Sequence, residues 1–163
     1  MIVVADTGPI HYLVLSGHIG LLHQLYGDVV VPQAVRKGLS HPSAPSEIRQ
    51  WIAAPPSWIL IRTPIGGTGF ERLGPGEREA LRLAIEMRAD LVLMDESLAR
   101  RLAAESNLAV KGTLGVLEEA AQNLNLDLDG AIARLRQTSI YLDDKTIAAA
   151  LERDRLRREN SGR

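Results

Sequence analysis

Three acidic residues stand where the sequence would bring carboxylates together. Asp6 directly follows an apolar run at residues 2–5, and Asp95 follows a second apolar run at residues 91–94. Short, continuously apolar runs are typical of strands that are buried on both faces of a parallel sheet. Because ligands bind beyond the carboxyl ends of such strands, two neighbouring strands would present both carboxylates at one edge of the sheet.

Glu77 supplies the third acid from a predicted helix over residues 76–89. Helical steps from Glu77 lead to Leu81, Ala84 and Ile85, which form one apolar stripe. Glu77 therefore lies in the first turn, where the helix N-terminus favours negative charge, and in line with the buried face. Glu79 lies off this stripe and is the weaker candidate.

Convergent carboxylates predict a cation. They repel one another, and burial adds a cost of desolvation. A divalent cation removes both penalties, and Mg²⁺ and Mn²⁺ prefer oxygen ligands while keeping several waters. A metal held in this way can activate water and orient a phosphodiester for in-line attack. We therefore predict that Asp6, Glu77 and Asp95 form a hydrolytic metal site.

Each acid taken alone has an ordinary structural explanation. Asp6 can end a strand, and Glu77 can complement a helix dipole. Asp95 can cap the helix that starts at the next residue. The metal interpretation rests on all three acids occurring at the same predicted edge.

Two other enzyme classes share part of the first motif. The Asp-Thr-Gly triplet at residues 6–8 also occurs in aspartic proteases, but those are almost entirely β-structure and the chain after Gly8 has helical patterns. Phosphotransferases of the haloacid-dehalogenase type carry an Asp on the first strand and a second Asp two residues later. Gly8 stands at that second position, so both classes fit less well than the hydrolytic metal site.

Short apolar runs alternate with helical patterns along the whole chain. Besides the two runs that end in acids, residues 29–31, 58–62 and 108–110 are predicted strands. Residues 63–76 form a long glycine-rich connection, which we interpret as a surface loop. The alternation predicts an α/β fold with a mostly parallel sheet of about five strands.

The composition fits one globular unit. The chain has 163 residues, of which 45% are hydrophobic, and it contains no cysteine, which excludes disulfides and thiolate metal sites. We see no signal peptide or membrane span, so we expect a cytoplasmic location and no membrane association. The net charge of −1 counts mildly against a general nucleic-acid binder. We assign residues 1–145 to the main domain and residues 146–163 to a C-terminal helix with a charged tail.

Four segments together resemble the PIN-domain family, the metal-dependent nuclease fold of many toxin–antitoxin ribonucleases. They are VVADTGPI at the N-terminus, VVVPQAVRKGL at the second strand, GEREALRLA on the central helix and ADLVLMDESLARRLA around the fourth strand. The VKGTLGVL segment that follows is similar to a poorly characterised PIN-like subgroup. The order and spacing of these segments carry the resemblance, over roughly residues 1–120.

The resemblance implies a small three-layer α/β/α sandwich whose acidic pocket binds Mg²⁺ or Mn²⁺ and hydrolyses RNA. Carried over by position, Asp6, Glu77 and Asp95 are the catalytic and metal-binding acids, and Glu96 is an additional candidate ligand. The resemblance also implies that the protein is the toxin of a toxin–antitoxin pair. Its protein partner would then be a small antitoxin-like protein or a second copy of the chain in a homodimer.

One position departs from the family pattern. After the second strand the family commonly reads Pro-x-x-Val-x-x-Glu, and Gly38 stands here in place of the Glu. Losing one ligand should weaken metal affinity without necessarily abolishing binding, because waters can complete the coordination shell. The serious alternative is therefore a catalytically degenerate PIN-like protein that binds nucleic acid or a partner without cleaving.

Basic residues offer candidate phosphate contacts for a nucleic acid. We predict nucleic-acid binding by four of them, and the tail adds a further cluster. They are Arg36 with Lys37, Arg100 with Arg101, and in the tail Arg153, Arg155, Arg157 and Arg158. Because exposed arginines interleaved with acids more often form a solvated helix face, both interpretations stay open.

Overall fold

The computed structural model describes residues 1–162. These residues form five strands and nine helices. The strands are β1 (Val3–Ala5), β2 (Val29–Pro32), β3 (Ile59–Arg62), β4 (Leu91–Leu93) and β5 (Val110–Lys111). The helices are α1 (Thr7–Leu15), α2 (Gly20–Tyr26), α3 (Gln33–Leu39), α4 (Ser46–Ala53), α5 (Pro75–Glu86), α6 (Ser97–Glu105), α7 (Thr113–Leu124), α8 (Leu128–Leu135) and α9 (Asp144–Ser161).

All strand pairs are parallel, and the strand order is β3-β2-β1-β4-β5. The two strands that precede acids are direct neighbours at the centre of the sheet, with Val4 opposite Val92 and Ala5 opposite Leu93. Their carboxyl ends therefore lie side by side. This register fixes Asp6 beside β4, where its backbone N–H donates to the Leu93 carbonyl at 2.9 Å.

Alternate strand residues enter two separate cores, which makes three layers. Val3, Ala5 and Leu93 belong to a large core shared with helices of one face, including α1, α7 and α8. Val4 and Val92 belong to a smaller core shared with α5 and α6 on the other face. Since strands in a parallel sheet are covered on both sides, their residues are apolar without alternation. The predicted three-layer α/β/α sandwich with a parallel five-stranded sheet is confirmed.

Two local predictions were wrong. The last strand is Val110–Lys111 rather than residues 108–110, because pairing with β4 sets its place and its own apolar run is too short to do so. Ile85 lies outside the buried stripe of α5, since 48% of it is exposed. Most residues of the glycine-rich connection are exposed, as predicted for a surface loop, although Leu73 within it is 5% exposed and packs in the smaller core with Phe70.

The C-terminal helix packs on the rest of the fold. Ile147 and Ala150 of α9 are buried in the large core beside α7 and α8. The predicted boundary between residues 145 and 146 stays a prediction, and the last tail residue, Arg163, lies outside the described residues. Within residues 1–162, every helix is too short or too polar to cross a membrane.

Candidate active site

An open cleft of about 380 Å³ lies beyond the carboxyl ends of β1 and β4. We call it the acidic cleft, because all four predicted acids line it. Its lining includes Asp6, Glu77, Asp95, Glu96, Tyr12, Ile140 and Tyr141. The structure therefore brings together, from three separate stretches of chain, the acids that the sequence had placed at one edge.

Asp6 is the most deeply placed of these acids. It is 4% exposed, and its Oδ1 atom has no hydrogen-bond partner within residues 1–162. Burial, together with the nearby charges of Glu77 and Asp95, raises the pKa of Asp6 to about 6, although hydrogen bonding by Thr7 partly offsets these effects. A buried carboxylate oxygen without a donor carries a free-energy cost that a bound cation would remove.

Asp95 is held by the first residue of α7. The Thr113 backbone N–H donates to Asp95 Oδ1 at 2.7 Å, and the Thr113 hydroxyl donates to Oδ2 at 2.7 Å. Asp95 therefore satisfies the N-terminus of α7, rather than capping α6 as its position in the sequence had suggested. Thr113 is fully buried, so this pair fixes the direction of the carboxylate.

Glycines make room for the Asp95 carboxylate. A Cβ atom placed on Gly8 would lie 2.8 Å from Asp95 Oδ2, and one placed on Gly112 would lie 2.8 Å from Asp95 Oδ1. Both distances are too short for a real side chain, so any other residue would displace the carboxylate. Packing against Asp95 therefore explains why a glycine stands at position 8, in the first turn of α1.

Glu77 and Glu96 each cap a helix and line the acidic cleft. Glu77 Oε2 accepts a hydrogen bond from the Gly74 backbone N–H at 3.3 Å, which satisfies the amide of the residue that precedes α5. Glu96 Oε2 accepts from the Ala99 backbone N–H at 2.8 Å at the start of α6. Burial raises the pKa of Glu77, and the charge of Glu96 raises it further.

The donor set suits a hard cation, although the acids do not form a closed cage. Among the described residues no group of three or more His, Cys, Asp or Glu side chains is arranged to hold a metal ion. Asp95, Glu77 and Glu96 each give oxygens to backbone or hydroxyl donors, whereas Asp6 Oδ1 has none. Mg²⁺ is commonly bound through one or two carboxylates and several waters. The cleft could accept a cation in that mode, with Asp6 as the innermost candidate ligand.

A second cleft of about 370 Å³ adjoins the first. We call it the basic cleft, because Arg100, Lys111 and Arg153 line it. Lys111 pairs with Glu119 at 2.5 Å, and Arg153 pairs with Glu118 at 2.9 Å. The two clefts share Asp95, Ile140 and Tyr141.

The predicted basic residues are divided by the fold. Arg100 lines the basic cleft, whereas Arg101 lines neither cleft and lies 4.0 Å from Glu105 in an exposed ion pair. Arg36 and Lys37 lie on α3 and contribute to neither cleft within the described part of the chain. In the tail, Arg155, Arg157 and Arg158 pair with acids of α9 itself.

The structure adds three residues that the sequence did not single out. Thr113 could not be predicted because it lies 18 residues after Asp95 in the sequence. Only the pairing of β4 with β5 brings the two residues into contact. Lys111 and Tyr141 belong to no recognisable sequence motif. A threonine that opens a helix directly after a glycine, as in Gly112-Thr113, was the one available signal.

Gly38 lies on α3 and is exposed to solvent. Within residues 1–162, no atom outside its own helix and chain neighbours lies within 4 Å of a Cβ atom placed there. Glu79, the weaker candidate on α5, is engaged elsewhere, since its Oε2 accepts from the Ala34 backbone N–H at 2.7 Å. No acid of the described residues replaces the missing glutamate in the acidic cleft, apart from the four already named.

Comparison with known proteins assigns the family. A sequence profile for a family described as a PIN domain matches residues 2–155, which is nearly the whole chain. No curated protein and no solved structure showed significant similarity to the chain. The matched span includes all five strands, the four acids of the cleft and Thr113. The chain therefore belongs to the PIN-domain family, whose fold is that of a nuclease.

Proposed function

We propose that the protein is a ribonuclease that depends on Mg²⁺ or Mn²⁺ and hydrolyses phosphodiester bonds in the acidic cleft. The observation that carries this proposal is Asp6, a buried carboxylate whose Oδ1 has no donor within residues 1–162 and which faces two further acids. A buried oxygen without a donor destabilises the folded state. In a nuclease fold, a role as ligand to a cation would explain why the protein retains it.

The side chains have distinct roles in this proposal. Asp6, Asp95 and Glu77 would hold the ion, and Glu96 would add negative charge at the rim. When bound, the ion would supply an activated water and positive charge beside the scissile phosphate. Thr113 orients Asp95 through two hydrogen bonds, as outer partners orient metal ligands generally. The open shape of the cleft admits a polymer strand.

Purified protein with Mn²⁺ should cleave members of an RNA panel, and EDTA should stop cleavage. Asp6→Asn and Asp95→Asn should each abolish cleavage while leaving the circular dichroism spectrum intact. Glu79→Gln is the matched control, because Glu79 lies on α5 with Glu77 but binds the Ala34 backbone. Undiminished cleavage by both Asn variants would refute the assignment.

A second candidate function is a PIN-like protein that binds RNA without cleaving it. Two observations favour it: Gly38 replaces the usual glutamate, and the described acids form no closed metal cage. Calorimetry with MnCl₂ separates the two candidates. Binding that is lost in Asp6→Asn supports the nuclease, whereas no binding at millimolar Mn²⁺, together with intact RNA binding, supports the degenerate protein.

A toxin–antitoxin role and a cytoplasmic location complete the proposal. A small antitoxin would cover the acidic cleft with a terminal segment, and a homodimer is the other candidate assembly. The apolar residues Leu114, Val116 and Leu117 of α7 would serve neither partner, because they are buried in the large core. The lack of cysteine is consistent with a reducing compartment.

Co-purification of a short neighbouring gene product would support the antitoxin. A protein that is monomeric by light scattering and does not slow host growth would count against both the antitoxin and the homodimer.

A further inference from the structure

Tyr141 occupies an unusual place at the junction of the acidic and basic clefts. It lines both of them, yet 88% of it is exposed. The other two tyrosines are more enclosed: Tyr26 is 7% exposed and donates to Glu119 at 2.5 Å, and Tyr12 is half-buried. Tyr141 makes no side-chain hydrogen bond with the rest of residues 1–162, so its ring is available to a ligand.

The chain around Tyr141 holds the ring outward. Ile140 and Leu142 on either side are half-buried and pack against the large core. The Ile140 backbone N–H donates to Thr138 Oγ1 at 3.3 Å, and Asp143 caps the start of α9. With Ile140 and Leu142 anchored on either side, the Tyr141 ring is left exposed to solvent. Its exposure therefore results from the packing of its neighbours.

Arg100 lies on the other side of the junction. A Cβ atom placed on Gly112 would lie 2.5 Å from Arg100 Nη1 and 2.8 Å from Asp95 Oδ1, so the guanidinium and the carboxylate border the same glycine. Lys111 and Arg153 are neutralised by Glu119 and Glu118. In the described part of the chain Arg100 forms no ion pair, which leaves it as the cation of the basic cleft that is free to meet a phosphate.

We propose that Tyr141 is a stacking platform for a base of single-stranded nucleic acid and that Arg100 binds a neighbouring phosphate. The strand would then pass from the basic cleft, across Tyr141, into the acidic cleft. This inference rests on the proposed function in taking nucleic acid as the ligand, but it does not require cleavage.

Stacking favours a single strand over a duplex. Both faces of a base in a duplex are covered by its neighbours, whereas an unstacked base can lie on an aromatic ring. Every base has a π-face, so a stacking platform tolerates many sequences. A cation beside the ring supplies the sequence-independent phosphate contact that such grooves combine with stacking.

The test measures binding without metal. Fluorescence anisotropy with a labelled single-stranded RNA in EDTA and low salt reports affinity while hydrolysis is blocked. Tyr141→Ala and Tyr141→Leu should weaken binding about tenfold, because base–aromatic stacking is lost, whereas Tyr141→Phe should bind like the original protein. With an oligonucleotide that carries abasic sites, the difference between Tyr141→Ala and the original protein should disappear.

The phosphate contact has its own measurement and matched control. Arg100→Gln should reduce the slope of log K against log salt by about 0.7, the value for one phosphate contact on a single strand. Arg49→Gln, at an exposed position of α4 that lines neither cleft, should leave the slope unchanged. A duplex competitor should displace the single strand poorly.

The outcomes separate this inference from the proposed nuclease. Equal affinity of Tyr141→Ala and the original protein, or no binding of single strands by the original protein in EDTA, overturns the inference. Binding that depends on Tyr141 but no cleavage with Mn²⁺ overturns the proposed nuclease and leaves the inference standing.

Discussion

Asp6 lies at the acidic cleft and is also buried. Its position at the end of β1 places it under the cleft, and its burial makes the ionised form costly. The Thr113 bonds give Asp95 the opposite environment, because two donors stabilise its carboxylate. The pocket thus holds one acid that is poorly solvated and one that is well supported.

The first prediction concerns Asp6→Asn in the metal-free protein. The pKa of Asp6 in the folded state is about 6, against an ordinary value of 3.8. Below pH 3.8 the carboxyl is protonated in both states. As the pH rises toward 6, the unfolded chain ionises first, and folding stability falls by roughly 3 kcal/mol in total. Asp6→Asn should therefore gain stability over the original protein by about this amount between pH 4 and pH 7.5, as measured by urea denaturation in EDTA. A pH-independent difference would contradict the prediction.

The second prediction concerns Thr113. Thr113→Val keeps the shape of the side chain but removes the hydroxyl that donates to Asp95 Oδ2. Loss of a buried hydrogen bond to a charged group should lower the free energy of unfolding by about 1.5–3 kcal/mol and should weaken Mn²⁺ binding about tenfold. Thr113→Ser retains the hydroxyl and should keep metal affinity. Thermal denaturation and calorimetry measure the two effects, and equal affinity in the Val and Ser variants would count against the positioning role.

At the scale of elements, the strands were predictable because they are covered on both faces and read as unbroken apolar runs. Their order in the sheet was not, yet the site depends on β1 and β4 being neighbours. β5 begins two residues later and ends one residue later than predicted, because only its pairing with β4 defines it. Asp6 and Asp95 could be placed from the sequence as strand-end acids, whereas the Thr113–Asp95 bond and the exposure of Tyr141 depend on tertiary packing that no local pattern reports.

The third prediction belongs to α3. Gly38 lies inside this helix with open space around it, and glycine costs about 1 kcal/mol relative to a good helix former. Gly38→Glu and Gly38→Gln should both stabilise the fold, by about 0.5–1 kcal/mol in thermal or urea denaturation. Only the Glu variant carries a charge, so only it should tighten Mn²⁺ binding if this position belongs to the metal site. Equal Mn²⁺ affinities in the two variants would place Gly38 outside it.

At the scale of the whole molecule, the near-zero net charge conceals an uneven distribution: four carboxylates line the acidic cleft, whereas in the adjoining basic cleft Arg100 is the cation without an ion pair among the described residues. The acidic cleft and the basic cleft lie side by side and share one wall, formed by Asp95, Ile140 and Tyr141. A sum of −1 over the chain therefore says little about what its surface attracts locally. The overall charge weighed against a nucleic-acid binder only because the sequence could not show where each charge lies.

The fourth prediction concerns the stability of the folded protein in metal. A ligand that binds only the native state stabilises it in proportion to the logarithm of its concentration above Kd. Added Mn²⁺ should therefore raise the unfolding temperature at pH 7.5 by several degrees, with a smaller effect in Asp6→Asn. Differential scanning fluorimetry measures both shifts. An identical shift in the two proteins would indicate binding elsewhere on the surface.

The bond from the Thr113 backbone to Asp95 has a consequence for the motions of the site. This amide proton can exchange with solvent only when α7 frays at its start or when the carboxylate swings away. The exchange rate of this amide therefore reports how often the bond between Thr113 and Asp95 opens. Because α7 packs against the large core, that event should be rare. The order of the acidic cleft therefore depends on a helix that contributes no acid to its lining.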